Sequence, residues 1–176
     1  VVVAPSGWVE PAILCAEEEN AEKVVACVSG GETRADSVRA GVAEVPEAAS
    51  VILVHDAARP LVTNDVISRV VTTLQDEDVD GVVPGLPVPD TIKRASSGVI
   101  EYTVPRCGLF AVQTPQGFRG DVFRRVLAET SEPATDCAGL MEAAGCSVRI
   151  FRCNHVSESL LFVGNAFLIK IKRKNM

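Results

Sequence analysis

The sequence has no apolar run long enough to span a bilayer, and no charged, apolar, small-residue pattern of a secretory signal at its start. It has no Cys-x-x-Cys pair: its six cysteines, Cys15, Cys27, Cys107, Cys137, Cys146 and Cys153, are scattered. That spacing excludes the common zinc frameworks and a small disulfide scaffold. It predicts reduced thiols in a cytoplasmic protein. Cations are the minority charge, Lys+Arg 17 against Asp+Glu 23, for a net charge of −6. That balance excludes a general binder of nucleic acid or of anionic membrane, but leaves room for a small anionic substrate held by a few local cations. Neither a Walker A loop nor a complete Gly-x-Gly-x-x-Gly occurs, so no phosphate cradle of either kind is visible. Gly-x-Ser-x-Gly is missing too, which excludes a nucleophile elbow. No repeat, low-complexity tract or inter-domain linker divides the chain. It opens on Val1 without a preceding Met, and a further amino-terminal segment is expected.

What is present is a globular composition: 176 residues, 47% of them hydrophobic. That is enough for one domain, 1–176, with a sizeable core. Apolar runs at Val1–Ala4, Val24–Val28, Val51–Val54 and Gly81–Pro84 predict strands. Helical patterns alternate with them at Pro11–Asn20, Thr33–Val45 and Asn64–Leu74. In the last of these Val66, Ile67, Val70, Val71 and Leu74 follow helical spacing. Later strands are predicted at Leu109–Val112 and Ser147–Phe151, and helices at Arg119–Glu129 and Asp136–Ala144, the second capped by Thr135 or Asp136. Val88–Arg94 and Val99–Val104, joined by Ala95–Gly98, predict a β-hairpin arm inserted at about 87–106. The alternation predicts a Rossmann-like three-layer α/β/α sandwich with a mainly parallel sheet.

The stretch Val51–Pro60, VILVHDAARP, is the centre of this reading. Its apolar half has the β-branched character of a strand buried on both faces. Its polar half falls at the carboxyl end, where open α/β sheets bind ligands. Asp56 and Arg59 face a charged substrate from a turn closed by Pro60, or else form a surface ion pair. Gly30–Gly31, with Arg34 and Ser37, sits at a strand-to-helix junction where glycine lets the backbone approach a ligand. An ordinary turn has the same pattern. Thr91 and Arg106 lie in the arm, Thr114 at a strand end, and Thr135 at a helix start. Hydroxyls and arginines recurring at such positions suit a phosphate-rich substrate. His55 beside Asp56 reads as a packed or capping histidine, because adjacent strand residues point to opposite faces. His155 has no usable context.

Five ordered segments, GGETRADSV, ILVHDAARP, PVPDTIKR, TVPRCGLFAVQTPQGF and a Thr-Asp pair before a helix, resemble 2-C-methyl-D-erythritol 4-phosphate cytidylyltransferase, an enzyme family of non-mevalonate isoprenoid synthesis. The resemblance covers roughly Val1 to Phe151. It implies a homodimer joined by the β-arm. It implies transfer of CMP from CTP to a sugar-alcohol phosphate, release of pyrophosphate, and a divalent cation, usually Mg2+. By matching position, Gly31, Glu32 and Ser37 hold the cytosine, and Asp56 and Ala57 meet the ribose and the metal. Arg59, Thr91, Arg106, Thr114 and Thr135 meet the sugar phosphate, with Thr91 and Arg106 serving the partner subunit. Arg106 and Lys170 match catalytic positions.

Three departures accompany the match. The family's first strand and glycine-rich triphosphate loop are not found. Glu32 and Pro105 each stand where the family often has Asp. The terminal lysine motif is blurred, with Lys170 its nearest match and KIKRKNM not the expected final helix. Ribitol or another polyol phosphate as substrate, and an inactive nucleotide-binding fold, remain open beside the first reading.

Overall fold

A computed structural model of the chain describes residues 1–130 and 134–153, and the backbone of residues 167–173. The centre is β3 (Ala49–Asp56). Its side chains alternate between two cores: Ile52 and Val54 enter one, Val51 and Leu53 the other. Apolar residues in both phases of a period-two strand bury both of its faces. The first core is closed by α2 (Arg34–Ala43), α4 (Gly120–Glu129) and α5 (Cys137–Ala143), through Val38, Val42, Phe123, Val126, Leu140 and Met141. The second is closed by α3 (Asn64–Asp76), which sets Val70 and Leu74 one turn apart on the sheet. Helices therefore cover both faces, as the alternation predicts. A fifth helix, α1 (Val9–Glu18), lies over β1 (Val2–Ala4) and β2 (Cys27–Ser29) and buries no residue fully.

The main sheet has eight strands. The remaining five are β4 (Gly81–Pro87), β7 (Phe110–Val112), β8 (Gln116–Arg119), β9 (Val148–Arg152) and β10 (Phe167–Arg173). β1 pairs with β2, and β4 with β9, in parallel. β10 is antiparallel to both β1 and β3, and β8 to both β3 and β4. It follows that β1, β2, β3, β4 and β9 share one direction. The sheet is mainly parallel in direction, yet most neighbouring pairs are antiparallel, because β8 and β10 are interleaved between co-directional strands.

Two strands differ from the sequence expectation. β8 occupies a segment to which the sequence assigned no strand, and it takes in Arg119, which was placed at a helix start. β9 lies along one side of Gly81–Gly85, so β7 and β8 share the other side. They form one strand interrupted at Gln113–Pro115, where the Thr114–Pro115 peptide is cis. The second is in the tail, to which the sequence assigned no element: residues 167–173 form β10, with Lys170 in register with Leu53.

The arm forms as expected, from β5 (Ile92–Ser96) and β6 (Val99–Val104). Its turn narrows to Ser97 and Gly98, both at positive φ (49° and 81°), which suits the twist of a tight hairpin. Among the described residues no helix is long and apolar enough to cross a membrane.

Candidate active site

The carboxyl ends of β2 and β3 and the start of α5 meet at one edge of the sheet. The loop after β2 is shaped by the first turn of α2. A Cβ on Gly31 would stand 2.4 Å from the Asp36 Cβ, and one on Gly30 would stand 2.7 Å from Ser37 Oγ. Only glycine fits so close an approach. Ser37 is fully buried. Its Oγ accepts from the Gly31 amide at 3.2 Å and donates to the Thr33 carbonyl at 3.0 Å. Thr33 caps α2, and Asp36 returns the contact to the Thr33 amide in a capping box. Over this loop opens a concavity of about 400 Å³ lined by Pro5, Ser6, Gly30, Gly31, Glu32 and Ser37. Glu32 is exposed at its rim. The structure thus brings Gly31, Glu32 and Ser37 to one hollow, with Ser37 reaching it through the Gly31 backbone.

Asp56 ends β3 between two arginines. Its Oδ1 is 3.7 Å from Arg34 Nη2 and its Oδ2 is 3.6 Å from Arg59 Nε. Arg34 also donates from Nη1 to Cys137 Sγ at 3.1 Å. Burial pushes the Cys137 thiol up to about 11, so near pH 7 it is a neutral acceptor for that guanidinium. Arg59 donates from Nη1 to Gln113 Oε1 at 2.8 Å. Ala57 is half-buried within the same turn. The pairing with Asp56 that the sequence left open is therefore real, but it is one link in a larger cluster. Arg34 alone joins three elements: α2, the end of β3, and the start of α5.

The third wall begins at α5. Gln116 is almost wholly buried, 1% exposed. Its Oε1 accepts the Cys137 and Ala138 amides at 3.1 and 3.2 Å, and its Nε2 donates to Asp136 Oδ2 at 2.7 Å. Asp136 Oδ1 accepts from the Gly139 amide at 2.8 Å, so Asp136 is the cap. Thr135 is left exposed just before it. Thr114 and His55 are both buried. Thr114 Oγ1 accepts from the Asp56 amide at 3.2 Å and lies 3.0 Å from His55 Nδ1, while His55 Nε2 lies 2.9 Å from the Arg59 carbonyl oxygen. Burial holds the His55 pKa below its ordinary value.

Thr91 and Arg106 lie at the root of the arm, and both are exposed. The Arg106 guanidinium donates to the Pro89 carbonyl, which ties the two ends of the arm together. The Lys170 side chain and His155 lie outside the described residues. Sequence reasoning assigned no part to Gln116 and only a place to Arg34. The one available signal for Gln116 was a polar residue directly ahead of Gly117–Phe118 in a segment with no charge.

A family model described as "2-C-methyl-D-erythritol 4-phosphate cytidylyltransferase" matches residues 9–157. The enzyme of that name from Nocardia farcinica is 46% identical over 146 residues, covering 82% of this chain and 61% of that protein. A bifunctional enzyme IspD/IspF from Granulibacter bethesdensis is 45% identical over 124 residues, 70% of this chain and 32% of that protein. The chain therefore spans about three fifths of the first relative and a third of the second. A crystal structure of a 4-diphosphocytidyl-2C-methyl-D-erythritol synthase superposes with a TM-score of 0.73 at 32% identity, covering 91% of this chain and 73% of that one. The cytidylyltransferase structure from Thermus thermophilus gives 0.70 at 31% identity, over 78% and 67%. The Rossmann-like α/β architecture is thus shared with solved members, and with a family model matching most of its length this chain belongs to the 2-C-methyl-D-erythritol 4-phosphate cytidylyltransferase family.

Proposed function

We propose that the chain transfers CMP from CTP to 2-C-methyl-D-erythritol 4-phosphate, releasing pyrophosphate, in non-mevalonate isoprenoid synthesis in the cytoplasm. The observation that carries this reading is the convergence of the Gly30–Gly31 loop, the Asp56–Arg59 turn and the α5 start around Arg34, within a chain of this family. In the reaction a phosphate oxygen of the sugar alcohol attacks the α-phosphorus of CTP. A new phosphoanhydride bond forms, the α–β bond breaks, and pyrophosphate leaves with the electron pair. The attacking oxygen is already ionised near neutral pH, so no general base is needed. Alignment and neutralisation of charge carry the rate.

The hollow over Gly31 and Glu32 suits a pyrimidine ring, with Ser37 stiffening its floor. Asp56 and Ala57 then lie next to the ribose. Arg59 and the exposed Thr135 supply a cation and a hydroxyl for the sugar phosphate. Thr114 supports them from beneath. Lys170 is the further cation that the family pattern implies.

A divalent cation fits this set in one way. Among the described residues no three or more His, Cys, Asp or Glu side chains converge on a point. Magnesium commonly takes one or two carboxylates and completes its shell with water and substrate phosphates. Asp56 is that carboxylate. Its side chain is 30% exposed and both arginine contacts exceed 3.5 Å, so it can turn to a cation without breaking a tight hydrogen bond. Bound magnesium would neutralise charge on the triphosphate.

The arm supports a homodimer. Val99, Ile100 and Tyr102 are 69%, 61% and 57% exposed, and an isolated two-stranded hairpin is marginal in water. A partner subunit would cover these side chains and receive Thr91 and Arg106 at its own site.

The test follows pyrophosphate release from CTP in the presence of magnesium and methylerythritol phosphate. Diphosphocytidyl product, with ribitol phosphate used poorly, supports the reading. CTP binding without product would establish the inactive fold instead.

A further inference from the structure

His55 has no task in the reaction just described, yet both of its ring nitrogens are engaged. A carbonyl oxygen can only accept a hydrogen bond. The contact of Nε2 with the Arg59 carbonyl therefore assigns the ring proton to Nε2. The Thr114 hydroxyl is buried, and its proton needs an acceptor. His55 Nδ1, 3.0 Å away, is that acceptor and so carries no proton. The same hydroxyl oxygen accepts from the Asp56 amide. Three hydrogen bonds run in one direction: Asp56 N–H to Thr114, Thr114 O–H to His55, and His55 N–H to the Arg59 carbonyl.

We infer that His55 is a positioning residue that clamps both ends of the Asp56–Arg59 turn, one end directly and the other through Thr114. The inference rests on the reading of that turn as the floor of the nucleotide and sugar-phosphate site. It gives Thr114 a different part from the one its family match implies. The hydroxyl proton of Thr114 is committed inside the chain, so Thr114 supports the turn and does not donate to a phosphate. His55 acts on substrate only through the placing of Asp56 and Arg59, whose side chains already face each other.

The first test needs no turnover. The sequence has 2 histidines, so ¹⁵N imidazole spectra of the full chain, with His155→Gln for assignment, read the His55 tautomer directly. A neutral Nε2–H form near pH 7 is expected, with the Asp56 amide signal shifting in Thr114→Val and staying in place in Thr114→Ser. An Nδ1–H or doubly protonated ring overturns the inference. The second test titrates methylerythritol phosphate in the presence of CTP and magnesium. His55→Phe keeps an apolar ring and is expected to bind about tenfold more weakly, the loss of roughly one hydrogen bond. His55→Asn should recover part of that loss. His55→Phe with Thr114→Val should be no weaker than either single variant, because the two act through one chain. Parent-like binding by His55→Phe, or additive losses, would overturn it. If the functional reading fails instead, the unaltered chain binds neither ligand while the tautomer and the amide shifts remain as stated.

Discussion

Arg34 Nη2 and Asp56 Oδ1 stand 3.7 Å apart, although one residue opens a helix and the other closes a strand. The second amino group of Arg34 is spent on Cys137, so one planar fork joins the start of α2, the carboxylate and α5. Arg34→Lys keeps the charge and loses the fork. It is expected to lower the rate of product formation by roughly tenfold or more, as hydrogen bonds from a charged donor contribute about 1.5–3 kcal/mol. Pyrophosphate release with saturating CTP is the measurement, and a parent-like rate for Arg34→Lys would contradict this account.

Gln116 satisfies two amides and a carboxylate from within the core. Gln116→Leu leaves all three without that partner, at a cost of about 2–4 kcal/mol. The melting temperature should fall by roughly 5–10 °C for a chain of this length. Calorimetry checks it, and a loss below about 2 °C would mean that water replaces the amide.

Two glycines differ in what their replacement should disturb. In Gly117→Ala the new Cβ meets Val70 Cγ1 at 2.3 Å and Leu74 Cδ1 at 3.0 Å, so overpacking between β8 and α3 should cost about 1–3 kcal/mol. In Gly31→Ala the clash is with the Asp36 Cβ, at 2.4 Å, in the capping box of α2. That variant should lose both stability and CTP affinity, whereas Gly117→Ala should lose stability and keep CTP affinity. Chemical denaturation and nucleotide titration of the two proteins check this, and parent-like CTP binding by Gly31→Ala would contradict it.

Asp36 predicts a pH effect. Its hydrogen bonds from the Thr33 side chain and backbone, then the charge of Arg39, hold its pKa below the ordinary 3.8. A carboxylate with a lowered folded pKa stabilises the fold above its unfolded pKa and loses that contribution as pH falls through the folded value. Asp36→Asn should therefore melt below the parent at pH 6, and the gap should close toward pH 3. A gap independent of pH would show that the cap acts without its charge.

For the arm, Ile100→Glu places a charge on a side chain that is 61% exposed in the single chain. It should shift dimer to monomer in sedimentation while leaving the melting of the monomeric core nearly unchanged. Unaltered sedimentation would remove the arm from the interface.

Much of this was legible along the chain. β3 and α3 carry strong periodicity, so their place and burial followed from pattern alone. The Asp136 cap is a contact within three residues, and local spacing offered it beside Thr135. β8 was not legible, because its four residues include Gly117 and the buried Gln116, and its pairing with β3 and β4 depends on strands distant in sequence. Interleaving of antiparallel β8 and β10 was hidden for the same reason: strand direction is a property of neighbours.

By itself the sequence determined the layered α/β fold, the arm and the family, since periodicity, turn residues and ordered motifs are all written in one dimension. It also placed Asp56 and Arg59 at the end of a buried strand. Only the tertiary structure decided how the site is held. Arg34 reaches Cys137 across 103 positions and His55 reaches Thr114 across 59, and no spacing rule connects residues so far apart. The contacts of Thr114 with His55 and with the Asp56 amide likewise exist only once β3 and the β7–β8 break lie side by side.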